Sequence, residues 1–407
     1  MKSSLRGNAL FTRYLLGLSA SYFAYNMLVV AVGWQIYDLT NSALSLGLIG
    51  LAQFLPQFLL SLPAGHVADR CDRRLIVAVC QLIQGAMALV LATGSYANWI
   101  TSELIYLSAF LMGAARAFYS PATQALLPAL VDREVLPKAI SLSSATRNAA
   151  AIAGPALGGV IYLLGAGTAY ATSAALFVAA SAMIAGIRLP FVAPHREPAT
   201  LKFVFAGFAY IRSHPVILGA ISLDLFAVLL SSATALLPIY ARDILDAGPG
   251  GLGLLRAAPA VGAMLAAAFL VRIALTRRVG HILFASVVVF GVASMVFGLS
   301  QSLALSLTAL IVLGAADMVS VVIRSSLVQL DTPDQMLGRV SAVNSIFIGT
   351  SNQLGQFQAG VIASLIGAVP AVVVGGIGTL LVAALWTRFF PGLLRRDVLS
   401  TAPAKQH

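Results

Sequence analysis

The chain has 407 residues, 59% of them hydrophobic and 10% charged, with a formal net charge of +11. Soluble domains carry about a quarter charged residues, so this composition excludes an ordinary soluble globular protein and points to an integral membrane one. The positive charge does not indicate a nucleic-acid reader, because the basic residues sit between apolar runs and not on one face of a soluble fold.

Apolar runs close to the roughly 20 residues that carry a helix across about 30 Å of hydrocarbon recur at about 14–36, 45–65, 75–95, 104–125, 139–163, 169–189, 216–240, 250–271, 281–299, 304–327, 339–363 and 370–389. They are too long and too continuous for barrel strands, and in lipid only helices or a closed barrel satisfy every backbone N–H and C=O. The predicted fold is therefore all-α, with twelve transmembrane helices.

Lys2, Arg6 and Arg13 precede a first run that is too long for a signal-peptide core, so it reads as a retained helix. Within it Ser19, Tyr22 and Asn26 share one helical face. They offer hydrogen-bonding and stacking groups to an amphipathic organic molecule, or they are satisfied core residues. Between the second and third runs stands "GHVADRCDRR", Gly65 to Arg74, a dense charge cluster in a chain of few charges. Gly65 is expected to let helices approach closely, Asp69 to face a helix N-terminus, and Arg70, Arg73 and Arg74 to meet carboxylates or lipid phosphates. Cys71 and Cys80 give no disulfide framework and no thiolate metal site.

The fifth run contains "AGPALGG", Ala153 to Gly159. Pro155 removes a backbone donor and bends the helix, while Gly154, Gly158 and Gly159 allow tight packing. The longest hydrophilic connection, about 190–215, opens with three prolines and closes with "TLKFVFAGFAYIR", which reads as an amphipathic helix on the inner surface. The expected domains are a six-helix bundle over 1–189, a cytoplasmic linker over 190–215, and a second six-helix bundle with its tail over 216–407. Shifting the chain by 201 residues superimposes Gly113, Ala114, Ala115, Gly154, Gly159 and others on identical residues, which supports an internal duplication. Two six-span halves of this kind resemble the major facilitator arrangement.

Charges inside spans are costly, roughly 2.5–3.5 kcal/mol each, and default to functional candidates. They are Arg116, Arg147, Asp224, Arg256, Asp317 and Arg324. Arg256 and Arg324 lie toward span ends and are expected to be structural, with Arg324 snorkelling to the cytoplasmic surface. Arg116 and Asp317 are 201 residues apart and so occupy equivalent depths in the fourth and tenth spans. Asp317 and Asp224 are expected to change protonation during a transport cycle, with Arg116 facing Asp317; ion pairing that only holds helices together is the rival. With both termini cytoplasmic, 20 of the 25 Lys and Arg fall on the cytoplasmic side and only Arg242 on the other, which fixes the topology.

"GHVADRCDRR" matches G-x-x-x-D-R-x-x-R-R and resembles the signature of the major facilitator superfamily. "AGPALGG" has the G-P-x-x-G-G spacing of its exporters, although Ala150 replaces a further glycine of the longer pattern. "FYSPATQALLPALV" and "TPDQMLGRVSAVNSIFIGTSNQLGQFQAG" are similar to the bacterial subgroup containing the enterobactin exporter. Gln353, Gln356 and Gln358 stand in a segment where members of that subgroup often carry acids, so the resemblance does not extend to proton coupling through span eleven. The resemblance implies two pseudo-symmetric six-helix bundles, a cavity lined by spans one, four, seven and ten, and a cytoplasmic latch at Gly65, Asp69, Arg70, Arg73 and Arg74. The second half has only "RIALTRRVGH", Arg272 to His281, without an acid.

No G-x-x-x-x-G-K-[ST] cradle exists for a nucleotide, and the five histidines are scattered with no H-E-x-x-H. The expectation is a secondary transporter, not an enzyme, in a bacterial inner membrane. It would export a small amphipathic organic molecule, a siderophore or drug, against protons, without cofactor or metal, working as a monomer. A lysophospholipid or metabolite transporter or importer, or a membrane sensor of the same fold, is the alternative.

Overall fold

In the computed structural model, the structure describes residues 8–187, 201–272 and 277–399. The first half contains α1 (Ala9–Thr40), α2 (Ala43–Arg70), α3 (Arg73–Tyr96), α4 (Ser102–Leu126), α5 (Leu136–Tyr162) and α6 (Ala166–Ala185). After the linker helix α7 (Leu201–Ser213) come α8 (Pro215–Leu230), the single turn α9 (Leu237–Ile239) and α10 (Gly248–Arg272). The chain closes with α11 (Val279–Leu299), α12 (Leu303–Asp331), α13 (Asp334–Ile366), α14 (Ala368–Phe389) and the short α15 (Pro391–Leu394). Each of the twelve expected spans has its helix. Among the described residues nine are apolar enough over their length to cross a membrane. The other three, α4, α5 and α13, are as long but carry more polar side chains.

The helix ends follow local chemistry. Asn8 caps α1 by accepting from the amides of Leu10 and Phe11 at 3.1 and 3.0 Å. Asp72 accepts from the amide of Arg74, so only two residues, Cys71 and Asp72, separate α2 from α3. The tight turns into α6 and α14 pivot on Gly165 and Gly367, whose φ values of 105° and 90° only glycine adopts freely.

Two compact units emerge, Met1–Ala199 with Pro238–Ala257, and Thr200–Leu237 with Ala258–His407. In the first, α1 packs on α5 and α6, α2 on α4, and α3 on α4 and α6. In the second, α8 packs on α13 and α14, and α11 on α12 and α14, the same pattern one repeat later. The duplication is also visible at the close crossings. A Cβ on Gly113 would stand 2.9 Å from Gln53 Cα, and one on Gly314, 201 residues on, 2.6 Å from Pro259 Cα.

The span expected at 216–240 is present over Pro215–Ile244, but its helix is not regular throughout. After α8 ends at Leu230 the chain passes through a 3-10 turn, Ala233–Leu236, and a π-helical turn, Tyr240–Ile244. Serine side chains satisfy part of the broken backbone and its surroundings: Ser232 Oγ donates to Val228 O at 3.0 Å and Ser231 Oγ to Ser294 Oγ at 2.7 Å.

The expected linker helix is present as α7. Its Ile211 is buried in a cluster with Ile217, Ile221, Val328 and Val340, and Gly207 abuts the backbone of Arg339 on α13. Residues 190–200 of the expected linker lie outside the described residues. Tyr210 donates to Asp331 O at 3.3 Å, and burial together with the Asp331 charge pushes its hydroxyl pKa up.

Candidate functional site

The charged loop after α2 is anchored through backbone carbonyls. Arg73 Nη1 donates to Ala125 O at 3.1 Å and its Nε to Ala68 O at 3.2 Å. Arg74 donates to Ile187 O and pairs with Asp72 at 2.7 Å. Arg70 is exposed, and the side chain of Asp69 lies outside the described residues. The close approach expected at Gly65 is corrected: no described atom comes within 4 Å of where a Cβ would stand. The reason is the position of the crossing, which α2 makes with α4 at Gln53, about 18 Å earlier along the helix.

The glycines of "AGPALGG" are used for packing. A Cβ on Gly154 would lie 2.7 Å from Asn26 Cβ, and one on Gly158 2.7 Å from Met27 Cα, so α5 crosses α1 in near-backbone contact. A Cβ on Gly159 would meet Gly253 Cα at 3.1 Å and Gly250 Cα at 3.2 Å, which brings the first turns of α10 onto α5. The polar face of α1 sits beside this crossing. Asn26 Nδ2 donates to Tyr22 O at 2.8 Å, and Ser19, Tyr22 and Asn26 are all half-buried. Next to them, Arg116 of α4 lies over the ring of Tyr25, 3.8 Å from its centroid. Farther along α1, Tyr37 donates to Asp243, and Arg242 pairs with Asp38 at 3.3 Å. Arg147 is exposed and donates to Ser144 Oγ at 3.3 Å.

In the second unit, α8 and α12 carry the acidic residues. Asp224 is paired with Arg324, and both are buried. Arg324 Nε also donates to Ser320 O at 3.3 Å and Ser320 Oγ at 3.1 Å. The expected snorkelling of Arg324 is thereby corrected: its guanidinium turns inward to the buried Asp224 carboxylate and to Ser320 of its own helix. Asp317, half-buried and in electrostatic reach of Asp224 and Arg324, makes no hydrogen bond or ion pair among the described residues. It borders two cavities. One, of about 10 Å³, room for no more than a water molecule, is lined by Asp224, Ser286 and Ser320 among others; the other, of about 280 Å³, has Ser231, Ser232, Thr234, Asn352 and Gln356 on a wall that also carries Pro259, Phe290 and Leu313. Arg116 and Asp317, expected to face each other, each have their own surroundings within their own unit. Tyr25 and Arg324 were not picked out as functional in the sequence. For Tyr25, the available signal was an aromatic residue within one turn of the polar face of span one.

Two repeats of six membrane helices, with charged groups buried in their interior, define a major facilitator transporter, a multi-pass membrane protein. The chain belongs to the family described as transmembrane secretion effector, which matches residues 8–403. It is 28% identical over 402 residues to the enterobactin exporter EntS of Citrobacter koseri, covering 97% of this chain and 94% of that protein. To the enterobactin exporter EntS of Shigella boydii it is 26% identical over 389 residues, 94% of this chain and 92% of the relative. Among solved structures, a bacterial homologue of the human lysosomal transporter Spinster superimposes with a TM-score of 0.77 at 13% identity, covering 98% of this chain and 100% of the other. The nucleoside transporter NupG superimposes with a TM-score of 0.68 at 14% identity, covering 94% and 99%. At these identities both structures establish the fold alone.

Proposed function

We propose that the protein exports a small amphipathic organic molecule, of the siderophore class named for its relatives, in exchange for protons. The observation that carries this reading is Asp317, a carboxylate without a hydrogen-bonding partner among the described residues, which borders a cavity with apolar and polar walls on one side and the buried Asp224–Arg324 pair on the other. Such a group takes up a proton from water in the cavity, and the loss of its negative charge then alters the balance around Arg324. Asp224, tied to Arg324, acts as the fixed counter-ion and Asp317 as the titrating one.

The bundles of residues 1–189 and 216–407, joined by 190–215, alternate access to a cavity that includes Ser19, Tyr22, Asn26 and Arg116. The loop residues Gly65, Asp69, Arg70, Arg73 and Arg74 latch the cytoplasmic side, with both termini in the cytoplasm of a bacterial inner membrane and the monomer as the working unit. Energy comes from proton flow, about 2.3 kcal/mol per proton and 100 mV.

The test is flux in proteoliposomes under an imposed pH gradient. A labelled siderophore should accumulate against its own gradient, and a protonophore should abolish the accumulation. Accumulation unaffected by the protonophore would contradict proton coupling.

A further inference from the structure

We propose that the larger cavity of the second unit is a binding site for the protonated amine of an organic ligand, with Asp317 as its counter-ion. The inference rests on the transporter reading above and deepens it by naming a chemical class of cargo.

The cavity holds about 280 Å³, close to the lower limit of small-molecule pockets, about 300 Å³, so it takes a small ligand or one end of a longer one. Its wall is assembled from the broken end of span seven and from α10, α11, α12 and α13. Asp317 is the one charged side chain of that wall among the described residues, while Asp224 and Arg324 stand outside it and neutralise each other. A carboxylate within a span, without ion pair or hydrogen bond, is costly, and a cationic ligand offsets that cost.

The polar groups beside Asp317 have largely spent their donors. Ser232 Oγ gives its proton to Val228 O at 3.0 Å, and Ser231 Oγ gives its proton to Ser294 Oγ at 2.7 Å. A hydroxyl has one donor and two lone pairs, so both serines meet a ligand only as acceptors. Asn352 Nδ2 donates to Ile348 O at 2.8 Å, which uses one amide proton and leaves the carbonyl oxygen as acceptor. Thr234 and Gln356 keep their donors, but no fixed positive charge joins them on the wall. Acceptors around one negative charge suit an ammonium group, which has three donors and no acceptor. They oppose a carboxylate or phenolate, which would face Asp317 with no cation between them. Pro259, Leu313 and Phe290 supply apolar surface for the hydrocarbon attached to the nitrogen, and a phenyl ring attracts a cation over its face. The break in span seven therefore has a consequence beyond helix geometry, because it brings two serines to the cavity with their lone pairs free.

The test compares 3-phenylpropylammonium with 3-phenylpropan-1-ol, two ligands of matched shape, binding to the full chain in phosphatidylcholine nanodiscs, with empty nanodiscs subtracted. At about pH 8 the amine carries its proton, because alkylammonium groups titrate at about 10.4, as lysine does. Wild type should prefer the ammonium by about tenfold, the scale of one charge-assisted hydrogen bond. Asp317→Asn should lose that preference while still binding the alcohol, and Asp317→Glu should keep part of it. A preference unchanged in Asp317→Asn overturns the proposal. So does loss of both ligands in the Asn and Glu variants together, which would assign Asp317 to folding. Binding of 3-phenylpropionate as tight as that of the ammonium would show that the site does not select positive charge, and also overturns it. Displacement of the ammonium by sodium chloride but not by potassium chloride at equal concentration would assign the site to an inorganic cation and overturn the assignment to an amine. Because binding is read without a proton gradient, failure here is distinguishable from failure of proton coupling.

Discussion

Asp224 of α8 and Arg324 of α12 form a buried ion pair, with 11% and 8% of their side chains accessible. Ser320, one turn before Arg324, accepts from its Nε, so the guanidinium is held on two sides. The pair ties a helix that breaks at Ser231 to one that carries the free carboxylate Asp317.

Removing one partner should therefore be far more damaging than removing both. Asp224→Asn leaves a buried cation uncompensated and should cost about 3–5 kcal/mol, whereas Asp224→Leu combined with Arg324→Met should recover most of it. Unfolding midpoints in detergent, measured for the single and double variants, check this. Additive losses in the double variant would mean that the two residues do not depend on each other.

The glycines should separate by their surroundings. Gly159→Val forces α10 away from α5 and should destabilise by about 1–3 kcal/mol or more, with a matching fall in the yield of folded protein. Gly65→Ala meets open space and should be neutral or add up to about 1 kcal/mol of helix propensity. Thermal unfolding of the two variants side by side is the measurement.

The C-terminal segment caps the second unit. Arg396 grips Asp331 at 2.7 and 2.9 Å, while the amides of Val279 and Gly280 donate to Asp397 O and Arg396 O at 3.2 and 2.8 Å. Arg396→Ala should cost about 1.5–3 kcal/mol, the range for charged hydrogen bonds. It should also speed amide hydrogen exchange at residues 279 and 280 and leave the start of α3 unchanged. Equal exchange at both sites in variant and wild type would refute the capping role.

The helical spans were legible because lipid leaves backbone groups no other partners, so long apolar runs can only be helices. The repeat was legible through Gly113 and Gly314, whose smallness serves the same crossing in each unit. The break in span seven was not, since serines also sit inside regular helices, and the partner of Ser231, Ser294 Oγ, lies 63 residues away in the chain. The role of Arg324 was hidden for a similar reason. Its position near a span end suggested a route to water, and its partner lies 100 residues away in the chain. Gly65 shows the converse, a motif glycine whose expected close packing is absent among the described residues.

Flux measured across a pH series in proteoliposomes containing wild type, Asp317→Asn or Asp224→Asn probes the coupling most directly. Asp317→Asn should still exchange cargo down its gradient while losing both its pH dependence and accumulation driven by protons. Wild-type pH dependence and accumulation persisting in Asp317→Asn would contradict the account.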